Sequence, residues 1–297
     1  MKERAFVKLT GAYLYENEEN TEILDEVLPG WAVSVENRCG KRSLVTTHYG
    51  YSGWVDSRNL YRCSQKNLME RDDLGNSRIL LPAFTDLMDA PRVSGHIIAS
   101  LSRGSIVEII PSAAAEGGYL PVQTAEGIRG YMPEISLADR RDDDSFLYQS
   151  ADADFFLHQP VPFGASNERD FRSEVVKNAS RYLGTQYRWG GKSSAGIDCS
   201  GLAFMSYMMS GILIWRDSKP APKWPVKKIP LDQLKKGDLI YFPGHVAISM
   251  GNGKFIHSTG YKRSFGCVIN SLLPEDRDFR KDLREKIICC GSIFKDE

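Results

Sequence analysis

Two short segments in the first half of the chain are each written twice. Residues 28–35 (L-P-G-W-A-V-S-V) and 51–60 (Y-S-G-W-V-D-S-R-N-L) return as 101–110 (L-S-R-G-S-I-V-E-I-I) and 128–137 (I-R-G-Y-M-P-E-I-S-L). Gly30 and Gly104 lie 74 residues apart, and Gly53 and Gly130 lie 77 apart. Gly53 and Gly130 each precede an aromatic residue and stand seven residues before a leucine. A nearly constant offset over two landmarks implies two copies of one small domain. Within each copy, short alternating runs are broken by Gly, Asn and Pro and show no helical period, so each is expected to be a small β-barrel. The copies are placed at residues 1–63 and 75–140.

The rest of the chain has room for one larger domain, since 297 residues accommodate two or three. A 42% hydrophobic fraction supplies the core. Lys+Arg and Asp+Glu balance at 38 each, which gives no electrostatic case for nucleic acid or an anionic membrane. Asp142, Asp143 and Asp144 after Arg140 and Arg141 read as a solvated linker. No run approaches the ~18 apolar residues of a membrane span, and the start, M-K-E-R-A-F-V-K-L-T-G, lacks the apolar centre of an export signal. The sequence as it stands is therefore expected to be a cytoplasmic monomer, or an exported protein if a signal has been removed. Its six cysteines are sparse, two of them adjacent, and form neither a disulfide framework nor a C-x-x-C metal pattern. No metal or cofactor is expected. Five cysteines read as packing residues and one, Cys199, as chemical.

Cys199 stands out because of residues 187–201, Y-R-W-G-G-K-S-S-A-G-I-D-C-S-G. A glycine-rich approach leads into L-A-F-M-S-Y-M-M, an apolar run of good helix formers, so Cys199 is placed where a loop becomes a helix. There the helix dipole and the unpaired N–H groups favour a thiolate and could hold an oxyanion. Asp198, just before it, reads either as the helix N-cap or as a carboxylate aimed at a cationic substrate group.

A cysteine nucleophile needs a base and a group to orient that base. His245 in G-H-V-A-I-S-M-G and His257 in K-F-I-H-S-T-G lie on two β-rich runs joined by G-N-G. If all three joining residues form the loop, His257 falls opposite Ala247 and becomes a diagonal neighbour of His245, within reach of two imidazoles. A two-residue loop, Asn252-Gly253, would pair His257 with Ile248 and send the rings to opposite faces. The catalytic reading predicts the three-residue loop.

These residues together, Y-R-W-G-G, D-C-S-G and G-H-V-A-I with a second histidine twelve residues on, resemble the NlpC/P60 family of cysteine peptidases. The resemblance covers residues 165–297 and implies a papain-like fold acting on bacterial cell-wall peptides. It also implies Cys199 as nucleophile, His245 as general base, His257 as the residue that orients it, and Tyr187 beside the nucleophile, lining the oxyanion region. The twice-written segments are similar to bacterial SH3-type domains. The fold class expected is α+β: a papain-like catalytic domain at 166–297, after a linker at 141–165, preceded by two SH3-like β-barrels.

That arrangement is similar to a subset of the family and implies a γ-D-glutamyl-L-diamino acid endopeptidase for murein peptides with a free N-terminal L-Ala, used in recycling. The alternative is a hydrolase of the intact wall whose SH3-type domains are wall-binding modules. For the peptidase, Asp198 is expected to meet the substrate's ammonium, and Ser200 and Ser218 its D-Glu α-carboxylate. Arg216-Asp217-Ser218 reads as a cleft-lining segment or as a plain turn. Tyr49 or Tyr51 of the first barrel would assist, with an acidic partner among Glu16, Glu18, Glu26 and Glu36.

Between the landmarks, Q-P-V-P-F-G at 159–164 reads as an extended strap, and 170–183 as an amphipathic helix that Gly184 ends. Residues 234–242 form a turn into a buried strand, and 286–294 a last strand of an antiparallel sheet.

Overall fold

The structure, a computed structural model, describes residues 3–63, 76–111, 114–139, 167–222 and 224–294. The chain divides into two compact units, Met1–Ala151 and Asp152–Glu297. The linker expected at 141–165, with its strap, lies outside the described residues.

The first unit holds both copies of the repeat. Strands β1 (Glu3–Val7), β2 (Ala12–Tyr15), β3 (Ile23–Val27), β4 (Ala32–Cys39), β5 (Arg42–Thr47), β6 (Ser52–Asp56) and β7 (Leu60–Cys63) form an antiparallel sheet in the order β3-β2-β6-β5-β4-β1-β7. Strands β8 (Ser77–Leu80), β9 (Phe84–Met88), β10 (Ile97–Ser102), β11 (Ile106–Ile109), β12 (Tyr119–Gln123), β13 (Arg129–Pro133) and β14 (Leu137–Asp139) form a second, in the order β10-β9-β13-β12-β11-β8-β14. The two orders are identical when each strand is matched to the one seven places later, as a duplicated domain requires, and they are consistent with two SH3-like domains.

The repeated glycines have one physical cause. A Cβ on Gly53 would sit 2.8 Å from Leu14 Cβ, and one on Gly130 would sit 2.6 Å from the Met88 carbonyl oxygen. In both copies the sixth strand can lie against the second only if that residue has no side chain. Leu80, Leu87, Leu101, Val107, Val122 and Met132 form the second copy's core. The copies meet through the other repeated segment: the Trp31 indole donates to the Gly104 carbonyl at 2.8 Å, and the Ile106 N–H to the Pro29 carbonyl at 3.0 Å.

In the second unit an antiparallel sheet is packed by helices. Helix α1 (Glu168–Ser180) buries Phe171, Val175, Val176 and Ala179. It begins two residues earlier than the apolar spacing predicts, because the Asn167 side chain accepts from the Asp170 N–H and caps it. A short hairpin, β15 (Lys192–Ser193) with β16 (Gly196–Ile197), leads into helix α2 (Cys199–Met208), every residue of which is buried. A helix buried on every side has no solvent face, its Ser206 hydroxyl being satisfied by the Leu202 carbonyl, so it occupies the middle of the unit. The sheet order is β17 (Lys227–Ile229), β22 (Cys289–Ser292), β18 (Leu239–Phe242), β19 (His245–Gly251), β20 (Lys254–Thr259), β21 (Gly266–Ser271). Helix α3 (Lys281–Arg284) is a single turn. The last strand is shorter than the apolar run 286–294 and pairs on both sides, with β17 and β18. Arg172 ties α1 to the turn before β18, its guanidinium 2.6 Å from Asp238 Oδ1 and 2.9 Å from the Lys236 carbonyl.

Candidate active site

Helix α2 packs against β19 and β20, and the Cys199 sulfur meets the N–H of Val246, the residue after His245. Cys199 is the first residue of the helix, and Asp198 is its N-cap, accepting from the Gly201 N–H at 2.5 Å. Ser258 on β20 donates to the Ile197 carbonyl at 2.6 Å and fixes the approach loop to the sheet. Burial pushes the Cys199 thiol up to about 12, helped by the charge of Asp198. The N–H groups of Val246 and Ser200, and the Arg216 charge, pull it down by less. The helix start therefore does contact the sulfur as expected, but desolvation overrides it and the resting thiol keeps its proton.

The hairpin reaches the expected register by an unexpected route. Gly251 pairs with Lys254, so the loop is the two-residue Asn252-Gly253, both at positive φ (51° and 71°). Ser249 nevertheless pairs with Phe255 and Ile248 with Ile256, so Met250 is an extra residue, a bulge. The bulge moves the register back by one, and its continuation sets His257 opposite Ala247. His245 Nε2 lies 2.7 Å from His257 Nδ1, and the rings meet edge to face at 5.0 Å between centroids. His257 Nε2 in turn lies 2.9 Å from Asn270 Oδ1.

His257 is fully buried and His245 half-buried, and loss of water around the rings holds His245 down to about 4 and His257 to about 3. Arg280 lowers both, Asp198 opposes the shift at His245, and Asn270 and Asp282 oppose it at His257. With His257 occupying Nε2 of His245, the nitrogen left for a thiol proton is Nδ1. The arrangement suits a neutral thiol whose proton passes to a neutral imidazole during attack. Because only the neutral imidazole accepts that proton, kcat/KM is expected to stay level from pH 8 downward and to fall only as His245 protonates near pH 4. An acid limb at pH 6.5 or above, measured on enzyme shown to remain folded, would mean that His245 is not held neutral by its surroundings.

Tyr187 lies close enough to Cys199 for a thiolate there to raise its phenol, already raised by burial, so its hydroxyl stays a donor. Phe265 meets its ring edge to face at 6.1 Å. The substrate-binding residues expected from sequence are placed less simply. Asp198 accepts from the N–H groups of Gly190 and Gly201, from the Ser200 hydroxyl and from both terminal nitrogens of Arg216, at 2.5–3.2 Å. A carboxylate offers about four lone-pair sites, so it is fully engaged as cap and as ion-pair partner. Ser200 donates to Asp198 and accepts from Arg216 at 2.6 Å. Arg216, 2% exposed, is the buried countercharge of the carboxylate that caps α2. Ser218 is half-buried two residues further on.

In the first copy of the repeat Tyr49 is fully buried and its hydroxyl donates to Asp25, an acid not among the four glutamates considered. Asp25 shares the inward face of β3 with Val27, and strand alternation would have found it. Tyr51 is half-buried, its ring 6.4 Å from that of Tyr49. Of the cysteines read as packing residues, Cys39 is exposed.

Residues 184–272 match the family model NlpC/P60 family. Dipeptidyl-peptidase 6 of Lysinibacillus sphaericus is 31% identical over 292 residues, 95% of this chain and 97% of the relative. This chain belongs to the NlpC/P60 family. As a member it is a cysteine peptidase. Gamma-D-glutamyl-L-lysine dipeptidyl-peptidase of Bacillus subtilis (strain 168) is 28% identical over 162 residues, 52% of this chain and 46% of that one. The crystal structure of an NlpC/P60 family protein from Bacillus cereus ATCC 10987 superposes with a TM-score of 0.73 over 97% of this chain and 98% of that one, at 18% identity, which shows a shared fold.

Proposed function

We propose that this protein is a γ-D-glutamyl-L-diamino acid endopeptidase that cuts murein peptides carrying a free N-terminal L-Ala, as part of their recycling. The observation that carries this reading is the length of the match. Dipeptidyl-peptidase 6 is matched through both SH3-like copies and the catalytic unit, whereas the bifunctional muramidase/DL-endopeptidase CwlT is matched over 30% of the chain. Within the catalytic unit, a papain-like reading is supported by a cysteine opening a buried helix and facing a histidine on an adjoining antiparallel sheet.

In this reading Cys199 Sγ attacks the γ-carbonyl carbon of D-Glu while its proton passes to His245 Nδ1, and His257 holds the imidazole. The oxyanion meets the Tyr187 hydroxyl at the open N-terminal end of α2. The N–H groups of Gly201 and Leu202 are already taken by Asp198. His245 then gives its proton to the leaving α-amine as the C–N bond breaks, and later deprotonates the water that opens the thioester. With Asp198 neutralised by Arg216, its contribution is to hold the helix start and to shape the floor beside the substrate.

A site that receives a free ammonium loses several kcal/mol when the amine is acylated, because its acceptors are left desolvated and unpaired. L-Ala-γ-D-Glu-diamino acid peptides are therefore expected to be cut at least about 10³-fold faster than the same peptides with lactyl-muramic acid on the alanine. Equal rates, or soluble fragments released from intact sacculi, would favour a wall hydrolase with SH3-type binding modules.

A further inference from the structure

We infer that Asn270 is a positioning residue that fixes the direction of the His245–His257 proton chain and so leaves His245 Nδ1 bare toward Cys199. The inference rests on the reading of His245 as the base.

Three side chains lie on a diagonal across three strands. His257 on β20 is paired with Val268 on β21, which makes Asn270 its neighbour two residues along on the same face. Asn270 is 8% exposed and His257 is fully buried, so water does not compete for the contact. A neutral imidazole has one N–H and one acceptor nitrogen, and a row of two such rings must run one way or the other. Asn270 Oδ1, 2.9 Å from His257 Nε2, accepts and therefore places the proton there. His257 Nδ1 is then an acceptor, and at 2.7 Å it takes the N–H of His245 Nε2. His245 Nδ1 is left without a proton. Were the order reversed, His245 Nδ1 would carry the proton and could not receive the one from the thiol.

Burial keeps the rings neutral, and the charged groups around the row pull in opposite directions. Arg280, beside α3, disfavours a proton on either ring, Asp198 acts on His245 and Asp282 on His257. Choosing the direction thus falls to the uncharged end of the row. An amide has both a donor and an acceptor to offer, whereas a carboxylate can only accept, which gives a clean pair of variants.

The test is 15N–1H NMR of the full chain with labelled histidine, read beside kcat and KM. The wild type is expected to show both rings protonated at Nε2 and bare at Nδ1. Asn270→Asp, which can only accept, should keep both tautomers and a kcat within about tenfold of wild type. Asn270→Leu leaves the His257 Nε2–H buried without an acceptor, so a share of the molecules should move the proton to Nδ1 on both rings. Its kcat should fall about 10²-fold or more with KM little changed, the pattern of a base held in the wrong tautomer. A wild-type spectrum with His257 protonated at Nδ1, or a reversal of tautomers in Asn270→Asp, would overturn the inference, and neither needs the leucine variant to fold. Unchanged tautomers in a folded leucine variant would overturn it too. If the peptidase reading itself fails, no variant turns over substrate while the tautomers stay as described, so the two failures are told apart.

Discussion

Cys199→Ala abolishes turnover, by about 10⁴-fold or more, and leaves the unfolding transition of the catalytic unit nearly where it was. The reaction needs a covalent bond to sulfur, and no other cysteine among the described residues stands at this helix start beside the strand of His245. Removing the thiol strands no strong partner, since its contacts are weak donations from the Val246 and Ser200 N–H groups. Cys39→Ala, by contrast, should keep full activity, because that thiol is exposed on β4 in the other unit. Steady-state kinetics on a free-amine murein tripeptide checks both. Residual activity above about a hundredth in the Cys199 variant would remove the nucleophile and the mechanism with it.

Arg216→Met destabilises the catalytic unit by about 3–5 kcal/mol. Asp198 and Arg216 are both buried, with terminal nitrogens 3.1 Å from each carboxylate oxygen, and Arg216 also donates to Ser200 and to the Gly190 carbonyl. Truncating the arginine leaves a carboxylate out of water with no countercharge, at the residue that caps α2 and precedes Cys199. The double variant Arg216→Met with Asp198→Asn should recover part of the loss, because the orphaned charge is gone while the amide oxygen can still cap the helix. Urea unfolding followed by tryptophan fluorescence measures this, Trp215 and Trp224 lying in the same unit. A loss below 1 kcal/mol, or a double variant no better than the single, would show that Asp198 is not held by Arg216.

Features with a local cause could be read directly from the order of residues. Two copies of one domain were legible because Gly53 and Gly130 answer the same steric demand, and that demand repeats wherever the strand order repeats. Helix α2 was legible because residues 202–209 are a mostly apolar run of good helix formers, and the placement of Cys199 at its start because glycines precede it. The diagonal of His245 and His257 followed from strand alternation, but the turn that produces it did not. Asn252-Gly253 closes a two-residue loop, and only the bulge at Met250 restores the register, a choice made by pairing with β18 and β21 on either side.

Tertiary structure alone decided the electrostatics. A helix N-terminus argues for a thiolate, yet the burial that keeps the Cys199 proton on sulfur comes from elements distant in sequence. Arg216, eighteen residues beyond Asp198, becomes its countercharge because the chain after α2 folds back beneath the cap. Asn270 joins the histidines because β21 pairs with β20, and Asp25 meets Tyr49 because β3 turns it inward. Each is a polar residue whose role depends on which buried surface it faces, and spacing along a chain does not specify that until the strands are paired.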